Sequence, residues 1–148
     1  MDNELNRTYS GRCACGAVRY EVQGPPVVVA QCHCDECRRI SGTGHAIGAM
    51  FLLEKLTLNG RTGKFRYTSK NGSEVTKGFC PSCGSPIFGT NTRSPNHVTL
   101  SLGTMDDAAD LAVEVVVYAR SKQHWDQLGD DVTTFETQPD WQPPGDDL

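Results

Sequence analysis

The sequence has no apolar run long enough to span a bilayer, which excludes a membrane-spanning helix. Residues Met1 to Ser10 lack the apolar stretch of a secretory leader. A cytoplasmic location is the expectation, and thiols stay reduced there. Positive charge is in short supply: 14 lysines and arginines stand against 18 acidic residues, a net charge of −4. That balance argues against a nucleic-acid partner, and the pair Arg38-Arg39 is too small a patch to reverse it. No repeat of solenoid length and no linker divides the chain. At 148 residues it is expected to be a single domain, 1–148, with a core over about 11–135 and a proline-rich acidic tail over 136–148. A chain of this length buries roughly 70% of its unfolded surface, so a core forms without help. The apolar fraction is only 37%, however, and folding margins are about 5–15 kcal/mol, so cross-links would matter.

An eighth cysteine is also missing. Seven thiols in tight spacings, in a reducing compartment, favour metal over disulfides. They divide as four plus three. Cys13-Ala14-Cys15 and Cys80-Pro81-Ser82-Cys83 lie on glycine-bearing turns, and together supply the four thiolates of a closed tetrahedral zinc site. The rival for Cys80-x-x-Cys83 is a redox pair, which leaves Cys13 and Cys15 without a purpose. Cys32-His33-Cys34-Asp35-Glu36-Cys37 supplies three ligands, the number a catalytic zinc takes when it keeps one position open. Three thiolates make zinc a weak Lewis acid toward water, and a soft thiol is the better fourth ligand. Such a site suits addition of a thiol to a carbonyl, or the reverse elimination. Arg38, Arg39 and the amides after Cys34 are the donors nearest to hand, and an arginine could grip a substrate carboxylate.

The competing reading is a second closed site whose fourth ligand comes from His33, His45, His97, His124 or a carboxylate. His33, between two ligands, is expected to point away from them. His45 is the best placed as fourth ligand or proton shuttle. Trp125 reads as core or tail packing, Asp106-Asp107 and Asp130-Asp131 as solvated loop charges, and Ser41 and Thr43 as turn caps.

The rest of the chain reads as short strands. Residues 17–22, 27–30, 46–51, 55–60, 64–69, 74–79, 87–88, 97–102 and 111–118 carry alternating or β-branched patterns, punctuated by Asn59-Gly60, Asn71-Gly72 and Gly24-Pro25-Pro26. Helix is expected only as a turn over 35–40, with Asp35 or Cys34 near its start and Gly42-Thr43-Gly44 ending it, and with further turns near 102–107 and 121–128. Asp2 to Ser10 is expected to be loosely held at its start, and the tail to wrap or fray. The fold class is mainly β.

These motifs resemble a known family. Gly11-Arg12-Cys13-Ala14-Cys15-Gly16-Ala17-Val18, the stretch Cys32 to Gly42, and Phe79-Cys80-Pro81-Ser82-Cys83-Gly84-Ser85-Pro86-Ile87 are similar to the glutathione-dependent formaldehyde-activating enzymes, a family that also includes centromere protein V. Ala119 to Trp125 followed by Phe135-Glu136 looks like the family's C-terminal signature. The resemblance implies a β-tent-like fold of several short coiled antiparallel sheets stapled by zinc. It implies two zinc ions, a structural one on Cys13, Cys15, Cys80 and Cys83 and a catalytic one on Cys32, Cys34 and Cys37. The implied activity is that of a carbon–sulfur lyase, forming or cleaving S-hydroxymethylglutathione from glutathione and formaldehyde. The alternative on the same residues is a non-catalytic zinc module for protein binding.

Overall fold

A computed structural model describes residues 7–129 and 131–146. The stretch Asp2 to Asn6, Asp130 and Asp147, on which part of the sequence reading falls, lie outside the described residues. Among the described residues the strands, in chain order, are β1 (Thr8–Arg12), β2 (Arg19–Gln23), β3 (Val28–Cys32), β4 (Ala46–Leu52), β5 (Leu56–Asn59), β6 (Gly63–Thr68), β7 (Glu74–Phe79), β8 (Pro86–Asn91), β9 (His97–Ser101), β10 (Val115–Val117) and β11 (Thr133–Thr134), with one α-helix, α1 (Asp35–Ser41). The protein is mainly β.

The strands gather into two sheets rather than several short ones. One is three-stranded, in the order β1-β2-β5; the other is eight-stranded, in the order β11-β10-β3-β4-β9-β8-β7-β6. The larger sheet is mixed, which corrects the all-antiparallel expectation. β10 runs parallel to both β3 and β11, because long connections carry the chain back in the same direction. The strand expected over 111–118 shortens to Val115–Val117. Just before it, Glu114 Oε1 accepts from the Val29 amide at 3.0 Å, so a side chain replaces a ladder bond.

The core lies where the two sheets meet, and the period-2 alternation of the strands decides which residues enter it. Tyr9, Tyr20 and Val22 point inward from the small sheet, and Val29, Ala49, Phe51, Val98 and Leu100 from the large one. Tyr9 and Phe51 meet with ring centroids 5.9 Å apart. Phe51 is fully buried, and such a side chain contributes about 2–3 kcal/mol by leaving water. The alternate residues of the large sheet, Ala30, Cys32, Gly48, Met50, Thr99 and Ser101, line a cavity on its other face.

β1 is a strand that the sequence pattern does not mark. Its pattern carries one large apolar side chain, Tyr9, and its other inward position is Gly11. A Cβ at Gly11 would fall 2.3 Å from the Tyr20 ring, so the ring occupies the space a side chain would need. The helical turn expected over 121–128 is also displaced: a 3-10 turn spans Ala119–Ser121, and turns rather than helix follow it. The tail wraps. Phe135 N donates to Val116 O, Arg93 Nη2 donates to the carbonyls of Pro139 and Trp141, and Asp146 pairs with buried His97.

Candidate functional site

Each of the two distal cysteine pairs is the turn of a hairpin. Cys13 and Cys15 lie between β1 and β2, where Cys13 N donates to Val18 O at 3.0 Å. Cys80 and Cys83 lie between β7 and β8, where Cys80 N donates to Ser85 O at 3.0 Å. One hairpin belongs to each sheet, so the four thiols sit where the two sheets can be tied together. The Ala14 amide already bridges the two turns by donating to Ser85 Oγ at 3.0 Å.

The four sulfurs lie within 4.8 Å of one another, close enough to hold one metal ion. Cys13 Sγ lies 3.7 Å from Cys15 Sγ, which lies 3.8 Å from Cys80 Sγ. A tetrahedral zinc with Zn–S bonds of about 2.3 Å requires sulfur–sulfur edges of roughly 3.8 Å. A disulfide would bring two of these sulfurs to about 2 Å. Backbone amides also point at sulfur, with Val18 N 3.2 Å from Cys13 Sγ and Cys83 N 3.4 Å from Cys80 Sγ. Such bonds stabilise thiolate. The Ser85 hydroxyl and amide hold Cys83 down at about 5.

The other three thiols meet at the start of α1. Cys32 ends β3, Cys34 caps the helix by accepting from Cys37 N at 3.3 Å, and Cys37 lies in the first turn. Asp35 and Glu36 occupy the first turn, and Gly42 in the left-handed conformation closes the helix, as the sequence indicates. The three sulfurs lie within 4.8 Å of one another. Hydrogen bonds from the Cys32 and Cys34 thiols hold Cys37 down at about 3, and Lys77 assists. Sharing with Cys34 and Cys37, together with burial, pushes Cys32 well above the usual thiol range. Either cysteine cluster offers what a metal ion such as zinc needs.

A cavity of about 770 Å³ opens over the trio. Ile40, Ile47, Phe65, Tyr67 and Phe88 supply its apolar lining, and Lys70, Lys77 and Arg93 its cations. Phe65 is 53% exposed and stacks against Tyr67 at 5.8 Å. Tail residues Trp141 and Pro143 form part of the wall.

The histidines weighed as fourth ligands are engaged elsewhere. His33 is fully buried and turns toward Gln31 and Asp126, as its place between Cys32 and Cys34 suggests. His45 pairs with Asp126 and His97 with Asp146. His124 is exposed. Among the described residues no histidine, aspartate or glutamate joins the three sulfurs. Arg38 turns to Asp35 at 3.8 Å and is not among the residues that line the cavity. Trp125 is 56% exposed and packs in neither core nor cavity. Ser41 and Thr43 close the turn after α1 by bonding each other and His45 O. Asp106 accepts from Ser10 Oγ at the surface. Asp126, which sequence reading passes over, is the missed residue. Its partners lie far away in the chain, and nothing local singles it out.

The model of the glutathione-dependent formaldehyde-activating enzymes matches residues 8–121, which takes in all seven cysteines and both hairpin turns. The chain belongs to that family. A protein of Halomonas elongata, provisionally named as a glutathione-dependent formaldehyde-activating enzyme, is 31% identical over 93 residues. That match covers 60% of this chain, and the chain spans 59% of the length of this curated relative. A crystal structure of a Rhodobacter sphaeroides protein superposes with a TM-score of 0.56 at 23% identity, covering 67% of this chain and 89% of that one. That likeness shows a shared fold. No helix among the described residues is long and apolar enough to cross a membrane.

Proposed function

We propose that this protein is a zinc-dependent carbon–sulfur lyase acting on thiol–aldehyde adducts, of the S-(hydroxymethyl)glutathione synthase type. The observation that carries the proposal is the incomplete trio: three sulfurs at the edge of a ligand-sized cavity, with every histidine weighed for the fourth position engaged elsewhere or exposed. The family membership supports the reaction class, and glutathione and formaldehyde are its expected substrates.

The reading assigns two zinc ions to the chain. Cys13, Cys15, Cys80 and Cys83 hold a structural one that ties the sheets, in a fold of β-tent type within one domain. Cys32, Cys34 and Cys37 hold the catalytic one. Zinc held by Cys32, Cys34 and Cys37 would supply the acidity that makes an incoming thiol a nucleophile at neutral pH.

The chain's own residues do the rest. The Cys37 amide, bonded to Cys34 Sγ, and α1 fix the trio's geometry. Lys77 faces Cys37 closely enough to lower its pKa, and lines the cavity. It is better placed than Arg38 to steady an anionic group of the substrate. Phe65, Tyr67 and Phe88 exclude water from one side of the cavity and lower the local dielectric. A soluble enzyme of this kind would work in the cytoplasm.

Turnover of formaldehyde with glutathione should fall to background in Cys34→Ala, with the four-cysteine metal retained. Equal rates in the variant and the wild type would remove the catalytic role. A cobalt-substituted sample whose spectrum ignores added thiols would instead make this a closed zinc module.

A further inference from the structure

Beside the trio lies a second cluster that the proposed chemistry has not used. Asp126 Oδ2 is 2.7 Å from His45 Nδ1 and 3.3 Å from His33 Nδ1. The two imidazole rings are 5.1 Å apart. His33 is wholly buried, whereas the His45 side chain is 22% exposed and lines the cavity with Cys32, Cys34 and Cys37.

Proton positions follow from the donors and acceptors present. Gln31 Nε2 lies 2.9 Å from His33 Nε2, and in this amide orientation it donates to the ring. His33 then carries its own proton on Nδ1, facing Asp126. His33 Nδ1 makes no hydrogen bond, so Asp126 is free for His45; a carboxylate only accepts, and His45 Nδ1 is the donor to it. The neutral His45 ring is thereby left with a lone pair on Nε2. A carboxylate behind an imidazole is the arrangement that fixes the orientation and tautomer of a general base.

The surrounding chain is built to allow this approach. A Cβ at Gly44 would lie 2.3 Å from Asp126 Oδ2 and 2.8 Å from Asp126 Cβ, so only glycine lets the carboxylate reach His45. Lys122 Nζ donates to Gln123 O and Asp126 O, at 3.3 and 2.9 Å, and holds the turn that presents Asp126. Asp126 also lies beyond residue 121, where the family match ends.

We propose that His45 is the proton carrier of this cavity and that Asp126 is its positioning residue. The inference rests on the thiol–aldehyde reading. As the thiol sulfur forms its bond to the carbonyl carbon, the S–H proton passes to His45 Nε2. The carbonyl π pair moves to oxygen, and the imidazolium returns the proton there, giving the hydroxyl of the adduct. Cleavage runs the same transfers backwards, and no proton is gained or lost over a cycle.

The test uses the metal-loaded protein and His45→Ala, His45→Gln and Asp126→Asn. General acid–base catalysis contributes about 10²- to 10⁴-fold, so kcat should fall by that factor in all three. Metal content and the KM for the thiol should stay near wild type, and imidazole in the buffer should restore part of the rate to His45→Ala. Independently of turnover, nitrogen-detected NMR should find the His45 proton on Nδ1 in the wild type and displaced from it in Asp126→Asn. A wild type that turns over while His45→Ala keeps its rate overturns the inference and leaves the proposed function standing. Loss of metal in the His45 variants, or a wild-type His45 protonated on Nε2, also overturns it. A wild type inert toward every thiol–aldehyde pair removes the proposed function and the inference together.

Discussion

Stripping the metal proposed for the four-cysteine cluster should cost more stability than any single side chain. Cys15 and Cys80 stand 65 positions apart, and their sulfurs lie 3.8 Å from each other. A cross-link closing a loop of that size removes about 4 kcal/mol of chain entropy from the unfolded state at 25 °C. The same reckoning gives the short loop of Cys32, Cys34 and Cys37 roughly half as much. For a chain of this length, each kcal/mol is worth about 2–4 °C of Tm. Chelation should therefore lower Tm by about 8–16 °C through the four-cysteine cluster alone. Cys80 is fully buried between the hairpins, so Cys80→Ala should reproduce that loss without chelator. Chelating the variant should then add only the trio's smaller share, because the two perturbations act on one cross-link. Differential scanning calorimetry beside metal analysis makes the comparison. Complete metal removal that leaves the wild-type Tm within 2 °C (well below the roughly 8 °C expected) would refute the staple.

Two further predictions test the frame around the site. Burial pushes the Tyr20 hydroxyl up to about 12, with Thr104 pulling the other way. The fold favours the neutral phenol, so this contribution is whole below pH 10 and is lost as pH rises toward 12. It amounts to about 2–3 kcal/mol. Urea midpoints should therefore fall faster between pH 10 and 12 for the wild type than for Tyr20→Phe, and parallel curves would contradict the assignment. Asp146→Ala leaves buried His97 without its Nδ1 partner and costs about 1–3 kcal/mol. It should also free the tail to limited proteolysis near Trp141, and an unchanged cleavage pattern would show that other contacts hold the tail.

What could be read from the sequence was local. Cys13-x-Cys15, Cys32-x-Cys34-x-x-Cys37 and Cys80-x-x-Cys83 are each compact in sequence, so spacing alone groups the thiols. The helix at Asp35–Ser41 was legible from its cap and its terminal glycine. Strands with two or more inward apolar residues, such as His97–Ser101, showed their alternation. β1 was hidden because Gly11 fills an inward position. The parallel pairing of β10 with β3 was hidden because register between distant segments leaves no local trace. Asp126 was hidden for the same reason: its bond to His45 spans 81 positions. A carboxylate in a polar turn reads as solvated until the fold places two imidazoles beside it.

The most direct test of the asymmetry between the two cysteine clusters is a sulfur count at the metal. Zinc-edge X-ray absorption, with metal analysis of the same sample, should find two ions per chain and about 3.5 sulfurs per zinc. Adding glutathione should raise that figure to about 4, as a fourth sulfur joins the trio. One ion per chain, or a count that glutathione leaves unchanged, would contradict the account.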